Sequence, residues 1–264
     1  MRTLTVDRIA AQLYTLREHT KTPADIADTL HKVRAMGYRS VQTSGLGPIE
    51  PRDLRHILDE EGLVCCAAHE PAEAMLAEPE KIAEKMRTLG CLHVAYPHPA
   101  NRDLSTPEGV KSLCTALNKA GKVYSKYGIS FSYHNHSIEF QKVGKKTVLE
   151  QIYERTDPAL LASELDTYWV QAGGGSPVDW VKGLKGRLPL LHLKDYGVDA
   201  QGKMRMEEIG YGNLDWERII PAALQSGCCW FIIEQDRDWE GEDPFRSLKM
   251  SFDFLKKNFT KSSH

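Results

Sequence analysis

The sequence lacks any marked excess of charge. It contains 34 lysines and arginines against 36 aspartates and glutamates, which gives a formal net charge of -2 at pH 7. Such a balance provides no electrostatic basis for wrapping nucleic acid or for lying on an anionic membrane. We therefore expect the partners of this chain to be small, neutral or lightly charged molecules. A homo-oligomer is compatible with this composition.

Long apolar runs are missing as well. No stretch approaches the roughly 20 apolar residues that span a bilayer, and Met1–Asp7 lacks the apolar segment of a secretory signal. These absences predict a cytoplasmic protein with no membrane partner.

Cysteine is sparse, and its spacing excludes two kinds of site. The chain has six cysteines but no C-x-x-C motif: Cys65, Cys66, Cys91, Cys114, Cys228 and Cys229. Neither a zinc knuckle nor a disulfide framework is indicated by this pattern. We expect reduced and mostly buried thiols.

Short runs rich in β-forming residues alternate with longer amphipathic stretches. Eight runs are predicted as strands: Ala10–Thr15, Ser40–Ser44, Leu63–His69, Cys91–Tyr96, Ile129–His136, Leu160–Asp166, Leu188–Asp195 and Trp230–Gln235. Helix starts are indicated by a proline near the first turn, as in Thr22-Pro23, Pro51-Arg52-Asp53, Thr106-Pro107, Ser176-Pro177 and Asp243-Pro244. Candidate C-cap glycines recur shortly before strands, at Gly37, Gly62, Gly90, Gly128 and Gly227.

Eight β–α units in 264 residues are typical of one particular architecture. They predict a (β/α)8 TIM barrel, a single domain over residues 1–264, better than a doubly wound sheet. One element is awkward, because Pro221 lies inside the predicted helix Trp216–Ser226 and removes a hydrogen bond there. We expect a kink or a split helix at this position.

Alternation along the last four strands places polar side chains inside the barrel. Apolar neighbours such as Phe131 and Tyr133 face the helices, so the opposite parity faces inward. The inward residues are His134 and His136, Glu164 and Asp166, His192 and Lys194, and Glu234 and Asp236. Since barrel enzymes build their sites where strands end, these side chains are expected to meet at one mouth.

Four consecutive strands thus end in an inward His, Asp, His and Glu. Burying several ionisable groups together is costly unless they are paired, hydrogen-bonded or bound to a cation. One divalent metal is the simplest explanation, and a purely hydrogen-bonded polar network is the alternative. Mixed nitrogen and oxygen donors suit Mn, Co, Fe, Zn or Mg to differing degrees, with Mn a good compromise.

Several segments carry a family resemblance, and they follow one another along nearly the whole chain. They are VQTSGLGP (41–48), YHNHSIEF (133–140), ELDTYWV (164–170), LLHLKDY (190–196), EIGYGNLDW (208–216) and FIIEQD (231–236). Together they resemble the sugar phosphate isomerase/epimerase family of xylose-isomerase-like barrels. Relatives of that superfamily include inosose dehydratase and endonuclease IV.

The resemblance implies one divalent metal held by Asp166, His192 and Glu234 together with a residue from strand five. Where sugar epimerases of the superfamily usually carry a glutamate, this chain has His134; alternatively His136 or Glu139 reaches the metal. The paired-glutamate mechanism of ketohexose epimerases therefore does not transfer directly. The inosose dehydratase branch also carries clustered histidines, a D-T and an E-Q-D, which adds weight to elimination on a keto-sugar or keto-cyclitol.

The hypothesis that follows is a metal-dependent sugar isomerase or epimerase. A ketone of the substrate binds the metal, which stabilises the enediolate formed when the α-proton leaves. His136 or Glu139 is the expected base. Lys194 either protonates the product and steadies the oxyanion, or merely pairs with Glu164. A dehydratase or lyase acting by β-elimination is the alternative.

Residues at the ends of other strands are candidates for substrate contacts. His69 faces inward after strand three, either as a sugar contact or as a satisfied core histidine. Gln12, Tyr14, Gln42 and Ser44 are placed to bind hydroxyl groups. Trp169 offers an aromatic face to a sugar ring or caps the barrel. The loop Gly173–Ser176 is more readily explained as flexible than as a phosphate cradle.

Two rival classes fit less well. An endonuclease IV-like repair enzyme would need three metals and basic loops for phosphates, against which the near-neutral charge argues. A metal-free binding module is the second rival, and elemental analysis of the purified protein separates it from the enzyme.

Overall fold

Eight parallel strands close into a barrel in the computed structural model, which describes residues 3–99 and 101–260. In chain order they are β1 (Ile9–Gln12), β2 (Ser40–Thr43), β3 (Val64–His69), β4 (His93–Tyr96), β5 (Ser130–His134), β6 (Ala162–Asp166), β7 (Leu190–Leu193) and β8 (Trp230–Ile233). Each strand pairs with its sequence neighbours, and β1 closes the barrel against β8. The predicted (β/α)8 barrel is confirmed.

Helices surround the barrel. They are α1 (Pro23–Ala35), α2 (Pro51–Glu60), α3 (Ala72–Ala77), α4 (Pro79–Leu89), α5 (Pro107–Lys126), α6 (Val148–Arg155), α7 (Thr167–Ala172), α8 (Pro177–Gly183), α9 (Trp216–Ser226) and α10 (Pro244–Phe259). The five predicted proline starts are all confirmed at the first helical turn. The five predicted C-cap glycines all have positive φ, a conformation that side chains with a Cβ rarely adopt.

The predicted split at Pro221 is wrong, because α9 continues through that residue. Proline lacks the N–H that would reach the carbonyl of Glu217, one turn earlier. Both residues lie on the exposed side of the helix. Water can therefore satisfy the free carbonyl, and the helix needs no break.

Several strands end earlier than the sequence indicates. β1 stops at Gln12, and Leu13–His19 turns into a 3-10 helix, so Tyr14 lies beyond the strand and is 39% exposed. β5 stops at His134, and His136 becomes the N-cap of the short 3-10 helix Ser137–Phe140. The polar strand ends thus already belong to the loops at the mouth of the barrel.

The barrel interior is layered. A small apolar group fills its lower part: Ala10, Cys66, Ala67, Leu190 and Ile232. The larger core lies between strands and helices, where inward-facing helix residues pack against the outer side of the barrel. Polar inward residues follow above the apolar floor, so their side chains are confined to the end where the strands finish.

Two remaining features agree with the sequence analysis. All six cysteines are free; five are buried and Cys229 is exposed. Among residues 3–99 and 101–260, none of the helices combines the length and apolar character needed to traverse a bilayer.

Candidate metal centre and substrate cavity

Four side chains from neighbouring strands converge at the mouth of the barrel. They are His134 at the end of β5, Asp166 at the end of β6, His192 on β7 and Glu234 directly after β8, and all four are buried. One donor atom from each lies within 4.8 Å of the donors of the others. The structure thus brings together the four residues that the sequence indicated as metal ligands.

The spacing of these atoms suits a common ion. His134 Nε2 and His192 Nδ1 each lie 4.0 Å from Asp166 Oδ2, and His192 Nδ1 lies 2.9 Å from Glu234 Oε2. Two donors that are each about 2.1 Å from one cation lie about 3 to 4.2 Å apart. Asp166 Oδ2 is buried and receives no aligned hydrogen bond from any residue that the structure describes. The four residues therefore fit a divalent cation.

The far side of each imidazole faces polar residues beneath it, and in His192 it is hydrogen-bonded to one of them. His134 Nδ1 lies 3.3 Å from Glu164 Oε2, and His192 Nε2 lies 2.6 Å from Gln42 Oε1 and 3.4 Å from Glu164 Oε2. Ring nitrogens that face away from a bound metal are normally fixed in this way, which sets both tautomer and orientation. Burial alone would raise the pKa of Glu164, but His192 and His69 hold it well below its usual range.

Glu164 is the functional residue that the sequence analysis missed. It was placed inside the barrel, but its one expected role was as a partner for Lys194, whereas it contacts His69, His134 and His192. A second possible cation position, formed by His69, His134, Glu164 and His192, overlaps the first. The Glu164 carboxylate already contacts these imidazoles and lies 2.7 Å from Gln42 Nε2. The position that includes Asp166 therefore fits a metal better. Inward parity at Glu164 was the available signal.

Gln12 and Gln42 lie deeper than predicted. Both are fully buried, and Gln12 Nε2 donates to Gln42 Oε1 at 2.9 Å. Neither lines the cavity at the mouth. The expectation of direct sugar contacts is therefore not supported for these two residues, because Gln42 contacts His192 and Glu164 while Gln12 contacts Gln42. His69 and Tyr14 do line the cavity.

Lys194 does not pair with Glu164. Its ammonium lies 3.2 Å from Asp166 Oδ2, 2.9 Å from Glu234 Oε2 and 3.0 Å from Asp236 Oδ2. Burial opposes a charge on this lysine, but the three carboxylates raise its pKa well above the usual range. Burial raises the pKa of Asp166 to about 6 against the opposing effects of Lys194 and His192. Burial likewise opposes protonation of His192, but Glu164 and Glu234 raise its pKa to about 10.

His136 and Glu139 are brought together but play different parts. His136 lines the cavity, whereas Glu139 is fully buried and does not line it. Glu139 accepts hydrogen bonds from the Tyr133 hydroxyl and the His136 backbone N–H, both at 2.8 Å. Burial raises the pKa of Glu139 to about 7. This carboxyl is thus placed to fix the turn that carries His136 rather than to touch a substrate.

An aromatic ring connects the histidine with the buried lysine. The ring of Trp169 lies 5.4 Å from that of His136, and Lys194 Nζ lies 5.6 Å from its centroid. Burial, together with the neighbouring His134, lowers the pKa of His136 far below its usual range, so the ring is neutral. His136 Nδ1 and Trp169 Nε1 have no hydrogen-bond partner among the described residues. His136 and Lys194 line the cavity, whereas Trp169 does not, so the expected contact of its ring with a sugar is not supported.

The glycine loop after α7 does not belong to the cavity. Gly173–Ser176 lies outside the residues that line it. A Cβ on Gly173 would come 2.3 Å from the ring of Phe140, and one on Gly175 would come 2.8 Å from it. The glycines are needed because an aromatic ring packs on this backbone, so the sequence carries no phosphate signal here.

Two further residues shape the mouth. Asn135, fully buried, accepts a hydrogen bond from the backbone N–H of Asp166 through its side-chain oxygen at 3.0 Å. Asp195 accepts hydrogen bonds from the backbone N–H groups of Gly210, Gly212 and Leu214 and from Trp216 Nε1. The conspicuous segment EIGYGNLDW is thus folded around one carboxylate.

The cavity above the cluster has a volume of about 660 Å³. A model of the xylose isomerase-like TIM barrel family matches residues 30–258, and the chain belongs to this family. The resemblance drawn from the sequence is thereby confirmed.

Individual relatives are distant and of several kinds. An inosose dehydratase of Geobacillus kaustophilus is 21% identical over 263 residues, covering 86% of this chain and 85% of its own. A sugar phosphate isomerase/epimerase structure from Parabacteroides distasonis is 25% identical, covers 96% of this chain and 99% of its own, and gives a TM-score of 0.81. A xylose isomerase-like TIM barrel protein from Mycobacterium smegmatis in complex with magnesium is 15% identical over 97% of this chain and 98% of its own, with a TM-score of 0.74.

Proposed function

We propose that this protein is a divalent-metal-dependent enzyme that removes the proton next to the carbonyl of a sugar or sugar derivative and isomerises or epimerises it. The observation that carries the proposal is the orientation of His134 and His192. One nitrogen of each ring faces Asp166, while the other lies close to Glu164 in both rings and, in His192, is also held by Gln42.

The ion would be held by His134, Asp166, His192 and Glu234. It would supply Lewis-acid polarisation of a carbonyl and of its neighbouring hydroxyl. Two nitrogen and two oxygen donors suit Mn well and leave Co, Mg, Zn and Fe open. The magnesium complex of the Mycobacterium smegmatis relative supports a divalent ion in this family.

His136 is proposed as the base. It lines the cavity, its ring is neutral, and its backbone is fixed by Glu139. A proton taken from one carbon can be returned from the same imidazole to a neighbouring atom of the substrate.

Lys194 and Asp236 form the second proton-handling group. Both line the cavity, and the ammonium lies 3.0 Å from Asp236 Oδ2. The ammonium can donate a hydrogen bond to an oxygen on which negative charge develops, which lowers the barrier to enolisation. His136 and Lys194 both lie next to the Trp169 ring, at 5.4 and 5.6 Å from its centroid, so the proposal favours proton transfer by these neighbouring groups over an exchange between two carboxylates on opposite faces.

β-Elimination on a keto-sugar or keto-cyclitol is the second candidate. Strand β5 ends in His134 and not in the glutamate that paired-carboxylate epimerases use, and one-faced acid–base chemistry also serves elimination. The likeness to an inosose dehydratase over 86% of the chain supports this reading. Both candidates begin with loss of the same proton.

Proton NMR in deuterated buffer tests the proposal. The protein is incubated with Mg²⁺ and with a ketohexose, an inosose or a 3-keto-sugar. Deuterium at the carbon next to the carbonyl without loss of water or a substituent indicates isomerisation, and an unsaturated product indicates elimination. His136→Gln should reduce exchange about 100-fold or more, with His31→Gln on the exposed face of α1 as the matched control. No exchange with any ketone would refute the proposal.

A further inference from the structure

The cavity extends well past the candidate metal centre. In the closed barrel, β2 lies across the mouth from β6. The loop that follows β2, together with the start of α2, supplies the opposite wall, and beyond Ser44 its lining side chains are apolar: Leu46, Pro48, Ile49, Pro51 and Leu54. One end of the cavity is thus lined by imidazoles and carboxylates, and the other by apolar side chains.

The cations that line the cavity are already neutralised. Among the described lining residues, the two lysines are Lys85 and Lys194. Lys85 Nζ lies 2.7 Å from Glu70 Oε1, and this carboxylate is nearly buried on the same wall. Lys194 is surrounded by three carboxylates. A phosphate entering here would compete with a carboxylate for every ammonium group it meets.

Two positions on the opposite wall are unfavourable for an anion. The N–H of Gly47 is used by the carbonyl of Thr20, 2.7 Å away. Helix α2 begins with Pro51, which has no N–H, and the carboxylate of Glu50 at its N-cap would repel a phosphate. A helix start that attracts phosphate would instead carry no acidic side chain.

We propose, resting on the function proposed above, that the substrate is an uncharged keto-sugar or keto-cyclitol that carries an apolar substituent, and that its phosphate ester is excluded. The carbonyl end lies at the histidine and carboxylate cluster. The substituent packs across the mouth on Leu46, Ile49 and Leu54. The Glu70–Lys85 pair acts as the specificity element, because its carboxylate cancels the charge that would attract a phosphate.

Binding of alcohols that cannot enolise tests this separately from turnover. Isothermal titration of the Mg²⁺-loaded protein compares methyl glucoside, phenyl glucoside and methyl glucoside 6-phosphate. Phenyl glucoside should bind about tenfold more tightly than the methyl compound, which is about 1.4 kcal/mol and corresponds to covering roughly 60 Å² of apolar surface. The phosphate should bind at least tenfold more weakly than the methyl compound.

Variants locate the two effects. Ile49→Ser should reduce the preference for the phenyl group to less than about threefold, whereas Leu92→Ser, at a site that is 64% exposed and does not line the cavity, should not change it. Glu70→Gln should improve binding of the phosphate by freeing Lys85, while Lys85→Met should not. The ligand series on the unsubstituted protein remains decisive if a variant fails to fold.

Three outcomes would overturn the inference. They are a phosphate that binds as tightly as the uncharged parent, a phenyl group that adds no affinity, and an absence of binding by all three compounds. Exchange of the α-proton tests the proposed function by itself, so the two proposals can fail independently. Exchange with preferred binding of the phosphate would retain the function and remove this substrate class.

Discussion

Replacing Lys194 with methionine tests how the buried ammonium and the carboxylates around it balance each other's charge. The ammonium is 1% exposed and lies within 3.2 Å of Asp166, Glu234 and Asp236. Removing one partner of a buried ion pair typically costs about 3–5 kcal/mol, because the other charge stays buried without compensation. For a domain of this size, that corresponds to a fall in Tm of the order of 10 °C in the metal-free protein.

A divalent cation should reverse much of this loss. It would neutralise Asp166 and Glu234 without competition from the ammonium, so we expect the variant to bind metal about tenfold more tightly than the unsubstituted protein. Binding raises stability in proportion to the logarithm of metal concentration over Kd. The rise in Tm on adding metal should therefore be larger in the variant.

Both effects are measured by thermal unfolding in EDTA and in about 1 mM MnCl₂, followed by circular dichroism. Lys32→Met is the matched control, since Lys32 forms an exposed pair with Asp28 at 2.7 Å. That variant should lose less than about 1 kcal/mol and should respond to metal as the unsubstituted protein does. A Lys194→Met protein as stable as the control, or one that metal does not rescue, would refute the reasoning.

Three other predictions concern the site and its support. His192→Ala should abolish retention of one divalent ion in elemental analysis after dialysis and leave the circular dichroism unchanged; retained metal would remove this residue from the ligand set. Because burial raises the pKa of Glu139 to about 7 in the folded protein, the stability it contributes is full below about pH 4.5 and is lost as the pH rises through 7. Glu139→Gln should remove about 3 kcal/mol of this pH dependence from denaturant unfolding curves, and an unchanged profile would contradict the assignment. Gly173→Ala should cost about 1–3 kcal/mol, since its Cβ would meet Phe140, whereas Gly183→Ala, with open space around it, should not destabilise the protein; equal melting temperatures would argue against this packing.

Inward parity could be predicted because it depends on neighbours along the chain. Alternation with Phe131 and Tyr133 is enough to place His134 inward, and the positions of Asp166 and His192 follow from the same rule. The family resemblance added the expectation that these residues hold one divalent metal. These local signals identified the four residues that converge.

The partners of those residues could not be predicted in the same way. Gln42 meets His192 across the barrel, 150 positions along the chain, and no local pattern indicates which strands face each other at a given depth. The register of the strands determines which side chains face each other, and that register depends on closure of the whole barrel. Pairing of Lys194 with Glu164 was one of the expected alternatives for the same reason, whereas the lysine pairs with Asp166, Glu234 and Asp236.

The position of the Glu139 side chain depends on the turn that follows β5. Its spacing from His136 suggested a side chain at the mouth, but the chain folds back after β5 into a 3-10 helix. The carboxyl then reaches the His136 backbone and the Tyr133 hydroxyl beneath. The pattern of a residue at N-cap followed by Glu three positions later is a capping signal and could have indicated this role.

The role of Asp195 changes what can be learned from the segment around Gly210 and Trp216. A carboxylate that gathers several amides and an indole determines the course of a loop, and it does so whatever reaction takes place nearby. Proteins that share this stretch of sequence are therefore expected to have a similar barrel mouth but to catalyse different reactions. Sorting such proteins by activity requires the side chains of β5 and the wall across the barrel.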